Sequence, residues 1–75
     1  MKEKIKEIIG KTFEINNVAD NISQQNCHKW DSLNHLKLMY ELETAFDLSF
    51  EPEEIVKMKS LEEIDHIVSG KTINK

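Results

Sequence analysis

The sequence predicts an all-α protein, a small four-helix bundle with a long first loop and a short third helix. Apolar residues recur at helical spacing in separate segments of the chain, which is typical of amphipathic helices. Residues that favour helix caps stand before two of these segments, and no segment alternates convincingly as a strand would. A chain of 75 residues has the length of a single domain, spanning positions 1–75.

The first helix is predicted over 2–15, and a long loop over 16–30. Apolar residues at helical spacing line one face of the helix: Ile5, Ile8, Ile9 and Phe13. The loop is rich in Asn, Asp and Ser, residues that favour turns. Three apolar residues are expected to pin the loop to the core: Val18, Ile22 and Trp30.

The other helices are predicted over 32–47, 53–59 and 61–69. Asp31 and Ser32 are both good N-cap types, and the following stretch lacks Gly and Pro. The short helix is expected to pack Ile55 and Met58. The last helix begins with the capping-box pattern Ser60-Leu61-Glu62-Glu63, and Gly70 is predicted to cap its C-terminal end. The tail over 71–75 is predicted to be frayed.

The helix over 32–47 has two apolar faces on a helical wheel. The first is expected to face the core and contains His35, Leu38, Met39, Leu42, Ala45 and Phe46. The second, roughly opposite, contains Leu33, Leu36 and Tyr40, while Asn34, Lys37 and Glu41 should face water. Leu36 and Tyr40 could pack under a neighbouring helix. Leu33 is harder to bury, and its position beside a polar loop suits a surface that docks a partner.

Composition excludes several classes of function. The chain has 10 lysines, no arginine and 14 acidic residues, for a net charge of −4, which fits nucleic-acid binding poorly. There is no signal-peptide pattern and no apolar run near the length that spans a bilayer. A lone Cys27 excludes an intrachain disulfide, and with His28 it supplies only two metal ligands, too few for a zinc site. We expect a cytoplasmic monomer without membrane insertion.

Ser32 can be interpreted in three ways. It could be an ordinary N-cap, the commonest role of serine before a helix. A catalytic serine would need an adjacent base; His28 and His35 are near in sequence, but the chain lacks a Gly-x-Ser-x-Gly turn. The third interpretation is a modified serine, since a phosphodiester on its oxygen would lie where free N–H groups and the helix dipole favour an anion.

The segment from Trp30 to Leu38 resembles the attachment motif of the acyl carrier protein family, whose core is matched by Asp31-Ser32-Leu33. Further along, Glu41-Leu42-Glu43 and Phe46 resemble the rest of that family's second helix. The segment Glu51-Pro52-Glu53-Glu54 is similar to the acidic turn that follows it. The order of the helices also agrees, so the resemblance covers nearly the whole chain and implies a bundle of acyl-carrier type.

The resemblance implies a non-enzymatic carrier. A phosphopantetheinyl transferase would move 4′-phosphopantetheine from coenzyme A to Ser32, and the arm would carry acyl groups as thioesters. Asp31 matches a residue that helps bind Mg²⁺ in the transferase complex, while the carrier itself holds no metal. The implied surface for the transferase and for acyl-loading and acyl-processing enzymes comprises Asp31, Leu33, Leu36, Lys37, Tyr40 and Glu41. An aminoacyl or peptidyl carrier, or an unmodified helical protein-interaction module, is the alternative.

Two features depart from the family pattern. Trp30 stands where many members have glycine, and we expect it to anchor the end of the loop or to border the arm. Lys37 and the neutral Asn34 make the second helix less acidic than in fatty-acid carriers, which favours a specialised biosynthetic pathway. His35 is expected to be half-buried, with a hydrogen-bond partner in the loop.

Overall fold

A computed structural model, which describes residues 2–73, confirms the all-α architecture. The helices are α1 (Lys2–Phe13), α2 (Ser32–Phe46), α3 (Pro52–Lys57) and α4 (Leu61–Ile73). Helix α1 packs against both α2 and α4. Within these residues, no helix is both long enough and apolar enough to cross a membrane.

A single apolar core lies among the helices and the first loop. Its buried side chains come from every part of the chain: Ile5, Ile9, Phe13, Ile22, Trp30, Leu38, Met39, Leu42, Phe50, Met58, Leu61, Ile64 and Val68. The predicted core face of α2 is confirmed except at Ala45, which is exposed. Ala45 instead lines a surface groove between α1 and α2.

Helices α1 and α2 each end at a residue with left-handed backbone. Glu14 has φ 58° and Asp47 has φ 53°. The amide after each of them bonds back to the last turn, Ile15 N to the Gly10 carbonyl at 3.0 Å and Leu48 N to the Glu43 carbonyl at 3.1 Å. The helices predicted to end at 15 and 47 therefore end earlier, at Phe13 and Phe46, because Glu14 and Asp47 leave the helical backbone conformation.

Helix α3 begins and ends earlier than predicted. Pro52 occupies its first position, where a missing N–H costs nothing. A reciprocal capping box links Glu51 and Glu54. The helix stops at Lys57, and Met58 reaches the core from just beyond it, fully buried.

The start of α4 was predicted correctly and its end was not. The Ser60 hydroxyl accepts a hydrogen bond from Glu63 N at 3.2 Å, as expected of a cap. The helix then runs through Gly70, which has no positive φ, and continues to Ile73. Lys71 pairs with Glu54 at 2.9 Å, which holds this last turn against α3. Of the tail predicted to fray, residues 74–75 lie outside the described residues.

The long loop, residues 14–31, follows a fixed path. Ile22 and Trp30 are buried and Val18 is half-buried, as predicted. An isolated antiparallel bridge joins Ser23 to Ser60. Flanking bonds run from Gln24 N to the Lys59 carbonyl at 2.9 Å and from Leu61 N to the Ile22 carbonyl at 3.0 Å. The middle of the loop is thus held by the segment between α3 and α4.

Candidate functional site

Asp31 caps the N-terminus of α2. Its backbone is extended, with φ −93° and ψ −177°, and its Oδ1 accepts a hydrogen bond from Asn34 N at 2.9 Å. Its carbonyl accepts the first helical bond, from His35 N at 2.8 Å. One residue thus supplies both the side-chain cap and the first turn of backbone bonding.

Ser32 is the first residue of α2 and is exposed. Its hydroxyl makes no hydrogen bond to any part of the chain that the structure describes. The interpretation of Ser32 as an ordinary N-cap is therefore wrong, because Asp31 holds that role. The structure leaves a primary alcohol facing solvent at the head of a helix.

The chain just before Ser32 is fixed by several hydrogen bonds. Asn34 Nδ2 donates to the Lys29 carbonyl at 2.7 Å, and Trp30 N donates to the Cys27 carbonyl at 3.0 Å. The Trp30 indole lies in the core and donates from Nε1 to His35 Nδ1 at 2.9 Å. Trp30 therefore anchors the loop end, as predicted. His35 has the predicted partner in the loop, although it is buried rather than half-buried.

The second apolar face of α2 is open to solvent. Leu33, Leu36 and Tyr40 are 70%, 59% and 66% exposed, so no neighbouring helix covers Leu36 or Tyr40. We call these three residues the α2 patch. They line a surface groove of 640 Å³ between α1 and α2, whose rim is formed by Lys11, Thr12, Glu14, Lys37 and Glu41.

The rim of this groove carries both signs of charge. Lys37 and Glu41 are exposed, as predicted, while Asn34 is half-buried because its amide bonds to the loop. The contribution of Lys11 and Thr12 of α1, and of Glu14 just after it, was missed from the sequence. These residues lie near the end of α1, and nothing local in their pattern shows which helix they face.

Within the described residues, His35 is not available to Ser32 as a general base. Both of its ring nitrogens are engaged elsewhere, Nδ1 by Trp30 and Nε2 by the Ile55 carbonyl at 2.8 Å. The site is an exposed alcohol beside an apolar patch with mixed charge around it. With both ring nitrogens engaged, His35 is not placed to activate the Ser32 hydroxyl as a nucleophile.

Comparisons with known proteins identify the fold. The chain is similar to the solution NMR structure of a holo acyl carrier protein from Geobacter metallireducens, with a TM-score of 0.88 and 23% sequence identity. The alignment covers 97% of this chain and 86% of that one. No protein-family model matches the chain, and no curated protein matches it significantly by sequence.

The chain is thus a small four-helix protein whose second helix begins with an exposed serine. It has the acyl carrier fold. The structural likeness extends over all four helices and agrees with the fold that the Asp31-Ser32-Leu33 segment implied.

Proposed function

We propose that the protein is a non-enzymatic acyl carrier with 4′-phosphopantetheine attached to Ser32. The observation that carries the proposal is the exposed, unbonded hydroxyl at the first position of α2. Because Asp31 satisfies the helix cap, Ser32 can be modified without loss of an interaction that stabilises the fold. A structural neighbour in the holo form supports the same group here.

The residues present fit a phosphodiester at this position. The first amides of α2 have no partners within the helix, and the N-terminal end of a helix dipole favours an anion by about 0.3–1 kcal/mol. In the transfer, the Ser32 oxygen would form a P–O bond while the pyrophosphate P–O bond of coenzyme A breaks. Adenosine 3′,5′-bisphosphate leaves, and the serine proton passes to a base on the transferase. Once attached, the arm supplies a thiol that holds acyl groups as thioesters.

The second oxygen of Asp31 is available to a transferase. Only Oδ1 of this carboxylate is used as a cap within the described residues. We propose that the carboxylate contributes to Mg²⁺ binding in the complex with a phosphopantetheinyl transferase, where a hard oxygen ligand suits that ion.

The α2 patch is the proposed contact for partner enzymes. Its three large apolar side chains follow Ser32 along α2 and are more than half exposed, which suits docking. Lys37 and Glu41 flank them, so we expect partners with both signs of charge opposite these residues. This mixed surface supports a specialised biosynthetic pathway with its own acyl-loading and acyl-processing enzymes.

The experiment that tests the proposal is mass spectrometry after incubation with coenzyme A and a broad-specificity transferase. We expect the mass to rise by one phosphopantetheine, and we expect Ser32→Ala to abolish the increase. Ser49→Ala removes another exposed serine and should leave the increase intact. No mass increase, or an increase that survives Ser32→Ala, would reject the carrier assignment.

The same exposed patch also favours a second candidate, an unmodified protein-interaction module. Leu33, Leu36 and Tyr40 would serve such a module whether or not Ser32 is modified. Absence of phosphopantetheine from the protein purified from its native cells, together with failure of modification in vitro, would favour this candidate.

A further inference from the structure

A chain of hydrogen bonds runs through the interior beside Ser32. Trp30 Nε1 and His35 Nδ1 are 2.9 Å apart, and His35 Nε2 lies 2.8 Å from the Ile55 carbonyl oxygen. An indole N–H can only donate and a carbonyl oxygen can only accept. Nδ1 must therefore carry a lone pair and Nε2 a proton, so the two partners fix one neutral tautomer of His35.

This chain of bonds connects the parts of the molecule that surround Ser32. Trp30 directly precedes the Asp31-Ser32 pair, and its ring lies 5.4 Å from that of Phe13 in α1. His35 belongs to the first turn of α2, where its amide bonds to the Asp31 carbonyl. Ile55 belongs to α3. The imidazole therefore ties the end of the long loop to α3 through the helix that bears the serine.

Helix α3 has few other attachments. None of its six residues is fully buried, and Ile55 is only half-buried. Its side-chain ion pair, Glu54 with Lys71, lies at the surface with both partners partly exposed. The hydrogen bond from His35 to the Ile55 carbonyl is thus a partly buried link to a helix that has no fully buried residue of its own.

We propose that Trp30 and His35 are positioning residues for Ser32, and that they make the placement of the serine depend on the placement of α3. The inference rests on the proposed carrier function, because placement matters only if another enzyme must reach the hydroxyl. When α3 moves away, His35 loses the partner of Nε2, its ring is free to turn, and the Trp30 bond that orients the loop end weakens. Because Trp30 and Asp31 directly precede Ser32, a displacement of the loop end then displaces the serine as well.

The alternative is that the pair merely fills the core. Both hydrogen bonds contribute to stability, so removing them will destabilise the protein in either case. Positioning makes an additional prediction, because a misplacement on the order of 1 Å can slow a transfer reaction by about 10²-fold. The loss of rate should then exceed the loss that follows from stability alone.

Four variants distinguish the effect of the Trp30–His35 bond from the effect of the His35–Ile55 bond. Trp30→Phe keeps an aromatic ring against Phe13 and removes the donor, and His35→Leu removes both bonds. His35→Asn places an acceptor near the position of Nδ1 and keeps the Trp30 bond, whereas His35→Gln places a donor near Nε2 and keeps the Ile55 bond. Ile64→Val is the matched control, since it trims the core in α4 away from this chain of bonds.

The test measures kcat and KM for attachment of phosphopantetheine to the full chain, at a temperature where every variant is folded. We expect kcat to fall about tenfold in Trp30→Phe and His35→Leu, with KM little changed because the α2 patch is intact. In His35→Asn, hydrogen exchange in α3 should be faster than in the wild-type chain, while the fluorescence of Trp30 should stay the same as in the wild-type chain. For His35→Gln we expect the reverse.

The outcomes are separable. If the wild-type chain accepts no phosphopantetheine, the proposed function fails. If the wild-type chain is modified and the four variants are modified as fast as Ile64→Val at matched stability, the positioning role is overturned and the pair is core packing. Unchanged hydrogen exchange in α3 for both His35→Leu and His35→Asn would overturn the coupling to that helix.

Discussion

Asp31 and Ser32 carry out different tasks at the start of α2. Both are residue types that cap helices well, yet only Asp31 bonds to a free amide, that of Asn34. The carboxylate lies at the positive end of the helix dipole, which a hydroxyl would complement less well. Ser32 is therefore left with an exposed side chain that makes no hydrogen bond within the described residues.

Replacing Asp31 by alanine should destabilise the protein by about 1 kcal/mol, the usual cost of losing an N-cap. Asp31→Asn keeps a good capping residue and should cost less. Urea denaturation followed by circular dichroism measures both. A loss in Asp31→Asn as large as that in Asp31→Ala would show that charge, rather than the hydrogen bond, stabilises this end. The same pair tests the proposed contribution of Asp31 to Mg²⁺ binding, since Asp31→Asn should slow Mg²⁺-dependent attachment while the fold persists.

The pKa of Glu54 is lowered, first by the hydrogen bond from Glu51 N and then by the Lys71 ammonium group. A carboxyl group whose pKa is lower in the folded chain than in the unfolded chain stabilises the fold at pH values above its ordinary pKa of 4.5. That stabilisation is lost as the pH falls below 4.5 and passes through the folded-state pKa. In Glu54→Gln this part of the acid dependence should disappear.

Urea midpoints measured from pH 7 to pH 3 test this expectation. Glu53→Gln is the control, because Glu53 is exposed on the same helix and its substitution removes the same charge. Identical pH profiles for the two variants would contradict a specific role of Glu54. Added salt should weaken the Glu54–Lys71 contribution, since both partners are partly exposed.

The two glycines lie inside helices with different surroundings. A Cβ at Gly70 would meet nothing within 4 Å, whereas a Cβ at Gly10 would lie 3.1 Å from the Ile15 carbonyl oxygen. Gly70→Ala should stabilise α4 by about 0.5–1 kcal/mol, because alanine loses less backbone entropy than glycine in a helix. Gly10→Ala should gain less or lose stability. Thermal unfolding of both variants checks the difference, and equal gains would contradict it.

The ends of the helices show where local pattern stops being informative. Glu14 and Asp47 terminate α1 and α2 in left-handed backbone, a conformation that sequence rules assign first to glycine. Gly70, by contrast, stays helical, and the residue after it, Lys71, pairs with Glu54 of another helix. That contact is tertiary, and no window of sequence around Gly70 contains it.

Across the molecule, α2 separates a buried core face from the exposed α2 patch. Leu38 is fully buried and Leu36, two residues away, is 59% exposed. Leu38→Ala should cost about 2–5 kcal/mol because it leaves a cavity. Leu36→Ala should change stability by no more than about 0.5 kcal/mol.

Denaturation of this pair, together with the KM for phosphopantetheine attachment, checks the assignment of faces. We expect Leu36→Ala to raise KM while leaving the fold intact. Equal stability losses in the two variants would contradict the separation of faces, and an unchanged KM in Leu36→Ala would remove Leu36 from the docking surface.

Much of the architecture could be predicted from periodicity. The second apolar face of α2 was visible in the spacing of Leu33, Leu36 and Tyr40, and the structure leaves all three exposed. The groove they line could not be predicted, because it depends on how α1 packs beside α2. The same is true of the His35 contact with Ile55, which joins residues in separate helices.

The bridge between Ser23 and Ser60 has a consequence for the order in which the molecule is assembled. Chain entropy favours contacts between near neighbours, so a pairing between residues this far apart forms late. During synthesis the loop before Ser32 lacks this anchor until the residues around Ser60 have left the ribosome. If Ser32 is modified as proposed, an enzyme that recognises the folded surface should therefore act only after translation has gone beyond that point.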